Sequence, residues 1–394
     1  MEFDNLIQSI DNTEVVKICQ ELVKIKSVNP PGDELLIAEY VASTLEKAGL
    51  EIELVSHSPT RASVLARLKS PREIPGLLLS GHLDTVPVGN EQWIHDPFNG
   101  EVVESKIWGR GSADMKGGLA SIMVAVKTAA EARLPLRGDL ILAATAGEEV
   151  DSIGAITIAD RKNIGPIQAV MIPEPSYNSV FLAEKGALWL ELTTRGKTAH
   201  GSMPELGQNA VLMMIHLIDE LQKLVFSYKE HPTLGGFSHS VNTIVGGMKT
   251  NVVPDHCVVT VDMRTVPGQD HRNIIRKVEY LIADLEKKNS GFAATVRVIN
   301  DRIPLETSPN EPVVLKFLDT VEEVIGKRPI PGGVRYYTDA TAFVPAFKAP
   351  MIICGPGHAG LAHQPNEFVE VSKLVESVKI YTLAIAKFLC SPSV

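Results

Sequence analysis

Apolar side chains at Val15, Val16, Cys19, Leu22, Val23 and Ile25 recur at helical spacing over residues 13–26, and the same spacing returns over 33–48 before Gly49. Both segments predict surface helices. Short apolar runs bounded by turn residues follow at Leu77–Leu79, Leu140–Ala144 and Val170–Ile172, with a long small-residue helix predicted from Gly117 to about Ala132. Strands alternating with helices in this way predict an α/β domain, with a mixed, mostly parallel sheet covered by helices on both faces.

From about residue 187 the pattern changes to strand 187–195, helix 208–228, strand 241–246, strand 256–264, helix 271–288 and strand 294–299. That β-α-β-β-α-β order predicts one small ferredoxin-like sheet with two helices on a face. It reads as a second domain, 187–300, inserted into a first domain made of 1–186 and 301–394. The chain then returns through Pro304 and Pro309 to a further helix, a strand at Met351–Ile353 and a C-terminal helix from Ser372 to Leu389. There is no internal repeat and no low-complexity segment.

The chain has 394 residues, more than a single core usually serves, which agrees with two domains. Hydrophobic residues at 44% and charged residues at 22% are an ordinary globular mixture. A formal net charge of -9 without a lysine or arginine run argues against nucleic acid or an anionic membrane as partner, since both require a basic face. A small-molecule substrate is expected instead. The four cysteines, Cys19, Cys257, Cys354 and Cys390, are scattered, with no short pair spacing, and read as free thiols. The first residues carry no basic start followed by an apolar stretch, and no apolar run reaches membrane-spanning length. A reducing, cytoplasmic location is therefore expected.

Five segments carry candidate chemistry. Ser80-Gly81-His82-Leu83-Asp84-Thr85 follows the apolar run at 77–79, at the carboxyl end of a strand, where ligands gather in open parallel sheets. His82 and Asp84, two apart on an extended segment, project to one side, so the carboxylate would orient a metal-bound imidazole from behind. By itself the pair also fits a structural hydrogen bond. Trp108-Gly109-Arg110-Gly111-Ser112-Ala113-Asp114-Met115-Lys116-Gly117-Gly118 is a glycine-rich loop opening a helix. It lacks the order of a phosphate-binding loop, and Asp114 at its centre would repel phosphate but suit a cation. Gly147-Glu148-Glu149 follows the strand at 140–144, where paired carboxylates are either a solvated helix start or, beside a cation, a ligand and a general base. Glu174, in Pro173-Glu174-Pro175, and His363, in Gly357-His358-Ala359-Gly360-Leu361-Ala362-His363-Gln364-Pro365-Asn366-Glu367, complete the set. Singly each is an ordinary loop. Together, His82, Asp114, Glu149, Glu174 and His363 offer the mixed nitrogen and oxygen donors that zinc accepts.

These motifs, in this order from about residue 14 to 389, resemble the metallohydrolase family that contains acetylornithine deacetylase, succinyl-diaminopimelate desuccinylase, aminoacylase and bacterial glutamate carboxypeptidase. The resemblance implies two zinc ions per chain, with cobalt or manganese as substitutes. His82, Asp114 and Glu174 would hold one, and Asp114, Glu149 and His363 the other, with Asp114 bridging and Glu148 as the base. It also implies that the inserted domain is a lid through which two chains form a homodimer. In it, Gly196-Lys197-Thr198-Ala199-His200-Gly201-Ser202 matches the segment whose histidine reaches the partner subunit's active site to polarise the scissile carbonyl. Asn251, in Thr250-Asn251-Val252-Val253-Pro254, and Arg264, in Asp262-Met263-Arg264-Thr265, match the motifs that bind the substrate's carboxylate, a task that suits the planar guanidinium fork. Pro173 departs from the glycine usual in the deacetylase and desuccinylase branch. Arg335-Tyr336-Tyr337-Thr338-Asp339-Ala340, where the family lines its acyl pocket, matches no branch.

The expected activity is cleavage of the amide bond of an N-acyl amino acid by metal-activated water. Carboxypeptidase or dipeptidase action on a short peptide is the alternative within the same chemistry. A non-catalytic binding protein on this scaffold would be expected to have lost a ligand or the base, and none is missing. A nucleotide-dependent enzyme would need a spaced-glycine fingerprint that the loops at 109–118 and 355–360 do not carry.

Overall fold

A computed structural model describes residues 3–161 and 163–390. The chain divides into two compact units. One takes in the chain up to Leu182 with Thr307–Gly332 and everything from Thr338 onward, and the other comprises Ala183–Glu306 with Gly333–Tyr337.

The first unit is organised around strands in the spatial order Glu51–Ser58, Arg61–Leu68, Leu140–Thr145, Gly76–His82, Ile167–Pro175 and Met351–Gly355. The first three are joined antiparallel, and from Leu140–Thr145 through Met351–Gly355 the pairing is parallel. The sheet is therefore mixed and mostly parallel. Every residue of the Leu140–Thr145 and Gly76–His82 strands is buried, which is why these segments read as continuous apolar runs. Alternate side chains such as Leu77, Leu79, Leu140, Leu142 and Met171 pack into one core with the helices Asn12–Lys24, Leu35–Lys47, Gly117–Glu131, Pro312–Ile325 and Val371–Leu389. Short helices Ile153–Ala159 and Ala340–Phe347 pack against each other and against the Leu140–Thr145 and Ile167–Pro175 strands respectively. Asp11 starts the Asn12–Lys24 helix by accepting the Thr13 N–H, and Gly326 ends Pro312–Ile325 in the left-handed conformation. A small three-stranded sheet pairs Phe368–Glu370 with Lys106–Trp108, and that with Val102–Val103.

Two differences from the sequence reading matter for the site. The strands run longer than the apolar runs, so His82 is the last residue of its strand and Glu174 lies inside Ile167–Pro175 rather than beyond it. Flanking strands bury both backbones, and the polar side chains at the strand ends face one another instead of water. The hairpin Glu51–Ser58/Arg61–Leu68 has no counterpart among the predicted elements.

The second unit contains an antiparallel sheet in the order Ser238–Gly246, His256–Thr265, Gly186–Arg195, Ala294–Arg302, with the helices Ala210–Lys223 and His271–Lys288. In chain order this is β-α-β-β-α-β. Leu188, Leu190 and Leu192 alternate inward with Val259, Val261 and Met263 to meet Met214, Leu217, Leu221, Ile274, Val278 and Ile282. The first helix is shorter than 208–228 because Asn209 caps its start, accepting the Val211 and Leu212 N–H groups, and Leu224 is already extended. All four cysteines are free. Among the described residues, no helix is long and apolar enough to cross a membrane.

Candidate metal centre

Six side chains from five segments of the first unit converge at the carboxyl ends of the parallel strands. His82 ends one strand, Glu148 and Glu149 follow the next, Glu174 lies near the end of a third, Asp114 belongs to the glycine-rich loop, and His363 comes from the loop after Met351–Gly355. Gly111, at φ 83, turns the backbone into a wide helical turn, Ser112–Lys116, in which Asp114 departs from helical geometry at φ −124, ψ 96.

Asp114 lies between the two imidazoles. Its Oδ1 is 3.2 Å from His82 Nε2 and its Oδ2 is 3.4 Å from His363 Nε2. His82 Nε2 also lies 3.8 Å from Glu174 Oε1, and His363 Nε2 lies 3.1 Å from Glu149 Oε2. Donor atoms of His82, Glu148 and Glu174 fall within 4.8 Å of one another, as do those of His82, Asp114 and Glu149. Glu148 therefore stands as close to His82 as a ligand would, and distance alone does not divide the two glutamates into ligand and base. His82, Glu148 and Glu174 are buried, whereas the His363 side chain is 51% exposed and forms the solvent side of the cluster.

Burial raises the carboxyls of Glu148 and Glu174 well above the usual range, and neighbouring carboxylates push the same way while His82 opposes them. Burial acts likewise on Glu149, against the hydrogen bond from His363. Burial disfavours a charged His82, yet Asp114, Glu174, Asp84 and Glu148 outweigh it and hold the imidazole well above its ordinary value. Hydrogen bonds to Asp114 and Glu149 carry His363 to about 10. Asp114 itself is held low, because its bonds to the two imidazoles outweigh burial. So many carboxylates packed together call for positive charge, which is why both imidazoles are held above their ordinary values. Divalent cations would take over that role with the imidazole nitrogens freed as donors, so the residues present fit a metal pair.

Asp84 acts differently from the sequence expectation. His82 Nδ1 is 2.8 Å from the Asp84 backbone carbonyl but 3.8 Å from its carboxylate. The carbonyl orients the ring, while the carboxylate accepts the N–H groups of Gly147, Glu148 and Glu149 at 3.0, 3.1 and 3.3 Å and the Asn29 side-chain amide at 2.9 Å. A two-residue spacing in a strand puts both side chains on one side, but the chain bends after His82 and turns Asp84 onto the glutamate loop.

Further residues around the cluster carry no ligand motif of their own. Arg61 forks onto Glu34 and Asp151, the latter two residues after Glu149, and Glu367 accepts the N–H groups of Ala113 and Asp114. Asn29 offers no signal beyond the prolines after it. Glu367 has one, its place four residues after His363. His200, Asn251 and Arg264 lie in the second unit. There His200 Nδ1 meets Ser202 Oγ at 2.7 Å, the Gly201 N–H donates to the Asn251 carbonyl at 2.8 Å, and Arg264 Nε lies 3.0 Å from Asp262.

A family model described as peptidase family M20/M25/M40 matches residues 78–387. An acetylornithine deacetylase from Photorhabdus laumondii is 31% identical over 372 residues, covering 93% of this chain and 93% of that protein. A probable succinyl-diaminopimelate desuccinylase from Staphylococcus epidermidis is 25% identical over 400 residues, covering 94% of this chain and 97% of that protein. Among solved structures, an M20 family metallo-carboxypeptidase from Sulfolobus solfataricus superposes with a TM-score of 0.78 at 20% identity, over 95% of this chain and 98% of that one. At that identity the likeness is one of fold.

Proposed function

The chain belongs to the peptidase family M20/M25/M40 as a hydrolase of that family, and from this premise we propose that it is a two-metal amidohydrolase that releases an amino acid from its N-acyl form. The observation that carries this reading is the position of Asp114, with one carboxylate oxygen toward His82 and the other toward His363. His82, Asp114 and Glu174 would hold one ion, and Asp114, Glu149 and His363 the other. Zinc suits this donor set, with cobalt or manganese as substitutes. The ions, when bound, supply Lewis acidity, which makes water acidic near neutral pH and polarises an amide carbonyl.

Glu148 takes the proton of the attacking water and delivers it to the leaving amine. Burial raises its proton affinity, which suits it to accept the proton, and cations bound beside it would favour the ionised form from which a base must start. Asp84 keeps Glu148 in place through the backbone and His82 in orientation through its carbonyl. In keeping with the family resemblance, the second unit would serve as lid and homodimer contact. There His200 would polarise the carbonyl in the partner subunit's site, and Arg264 and Asn251 would bind the carboxylate of the substrate. The four unpaired cysteines support a reducing, cytoplasmic setting.

Removing metal with a chelator and restoring zinc or cobalt stepwise, while following amine release from acetyl, succinyl and formyl amino acids alongside simple dipeptides, tests the proposal. Activity should vanish and return as about two ions bind per chain. Turnover of the acyl amino acids supports the deacylase reading, and turnover confined to peptides replaces it with a peptidase. Full activity in the chelated protein would remove the metal mechanism altogether.

A further inference from the structure

Arg110 and Glu367 form a buried ion pair, with the two residues 2% and 1% exposed. Neither belongs to the cluster of candidate ligands, and a charge pair so far from water persists only where its remaining hydrogen-bonding capacity is also met. Here most of it is met by the segments that carry the cluster, with Arg110 Nε alone left without a partner among the described residues. Glu367 Oε1 accepts the backbone N–H groups of Ala113 and Asp114, at 2.8 and 3.0 Å, while Oε2 accepts from Arg110 Nη1. The same Arg110 nitrogen reaches the carbonyl of Gln364, next to His363, at 3.3 Å, and Nη2 reaches the carbonyl of Pro87, three residues past Asp84, at 3.3 Å. The Gly109 N–H donates to the Glu367 carbonyl at 2.9 Å, and the register then continues as Phe368 opposite Trp108.

One ion pair thus ties together three segments, the turn after His82, the loop presenting Asp114 and the loop presenting His363, and adds to the backbone pairing that already joins the last two. The last of these most needs an anchor, because His363 is half-exposed and left-handed at φ 63 on a loop outside the sheet. From these contacts we propose that Arg110 and Glu367 are positioning residues that set the separation between Asp114 and His363, and so the affinity for the ion shared by Asp114, Glu149 and His363. This rests on the two-metal reading given above. In this role neither residue would touch substrate or exchange a proton.

The test is Glu367→Gln in the 394-residue chain. The amide keeps an oxygen for the Ala113 and Asp114 N–H groups but loses the charge facing Arg110. Cobalt titration followed by calorimetry and by visible absorption should show the first ion binding as in the parent and the second weakened by about 10- to 100-fold, the loss typical of groups that orient ligands. The cobalt spectrum should change, and at limiting metal kcat should fall while KM stays. Arg110→Lys, which retains charge but not the planar fork, should show the same defect and provides the measurement if Glu367→Gln does not fold. Parental affinity for both ions and an unchanged cobalt spectrum, with only a lower melting temperature, would overturn the proposal and leave the pair a stabilising contact. If the parent itself binds no second ion, the two-metal reading fails first, before either variant is compared.

Discussion

The carboxylate of Asp84 accepts the backbone N–H of Glu148 at 3.1 Å, with the N–H groups of Gly147 and Glu149 beside it. A residue two places beyond one candidate ligand thus holds the loop that bears another and the candidate base. Asp84→Asn should turn part of that acceptor into a donor facing other donors, loosening residues 147–149 while the strands stay folded. A loss of about 10- to 100-fold in kcat, with an unchanged circular dichroism spectrum, is expected. Unchanged kcat would mean that the loop holds its shape without the carboxylate.

Glu148→Gln preserves the size of the side chain and removes its ability to take a proton. Metal content should remain at the parental level, and kcat should drop by about 10²- to 10⁴-fold. Because Glu148 also lies within ligand distance of His82 and Glu174, metal analysis decides between two roles. Loss of an ion along with activity would make it a ligand, and near-normal turnover would remove it from the mechanism.

The parallel strands at the centre could be read from the chain because burial on both faces favours unbroken apolar runs, as in Leu77–Leu79. The hairpin Glu51–Ser58/Arg61–Leu68 was not readable in that way. It lies at the edge of the sheet, and Glu51, Glu53 and Ser56 interrupt its apolar positions. The candidate ligands stood out because histidine and carboxylates recur just past apolar runs, a pattern local to each segment. What supports them did not, because Arg61 and Glu34 are 27 residues apart and Arg110 and Glu367 are 257 apart, and only the folded chain brings them together. The contact between His82 and the Asp84 carbonyl was hidden for a different reason, since spacing along a strand says nothing of where the strand ends.

Gly118, in the first turn of Gly117–Glu131, packs directly under the residue that precedes Glu174. A Cβ there would lie 2.1 Å from the Pro173 carbonyl oxygen, so helix or strand must move. Alanine favours a helix over glycine by about 1 kcal/mol, but overpacking at such a contact costs about 1–3 kcal/mol. Gly118→Ala should therefore lower the melting temperature and weaken metal binding together, through displacement of Glu174. A gain in stability with parental metal affinity would show that the contact yields without cost.

Asp139 is buried and accepts hydrogen bonds from the Ser70 backbone and from Arg72 Nε, at 3.0 and 2.8 Å. Burial raises its carboxyl, but these bonds outweigh burial and leave it below its ordinary value. A carboxyl lowered on folding contributes stability that is fully present above its unfolded pKa of about 3.9 and is lost as pH falls through the folded value. Asp139→Asn should cost about 1.5–3 kcal/mol at neutral pH. The difference from the parent in urea unfolding should stay constant down to about pH 5 and narrow below about pH 4. A difference independent of pH throughout would assign the loss to packing.

Arg61 joins three parts of the first unit through one guanidinium. Its Nε and Nη2 reach the Glu34 carboxylate at 3.0 and 2.9 Å, at the start of the Leu35–Lys47 helix, and its Nη1 reaches Asp151 at 2.8 Å, in the turn that begins at Gly147. Glu34 has no exposed surface, and burial raises its carboxyl in spite of Arg61. Removing one partner of such a pair leaves the other charged and unsolvated, whereas replacing both with apolar groups does not. Arg61→Met should therefore cost about 3–5 kcal/mol in urea unfolding near neutral pH. The cost should shrink toward acid pH, because Glu34 can then be buried as the neutral acid, the form that a raised pKa favours. Arg61→Met combined with Glu34→Leu should recover most of the loss, since no orphaned charge remains. If the double variant is as unstable as Arg61→Met alone, the clamp on Asp151 rather than the pairing of Glu34 is what the fold depends on.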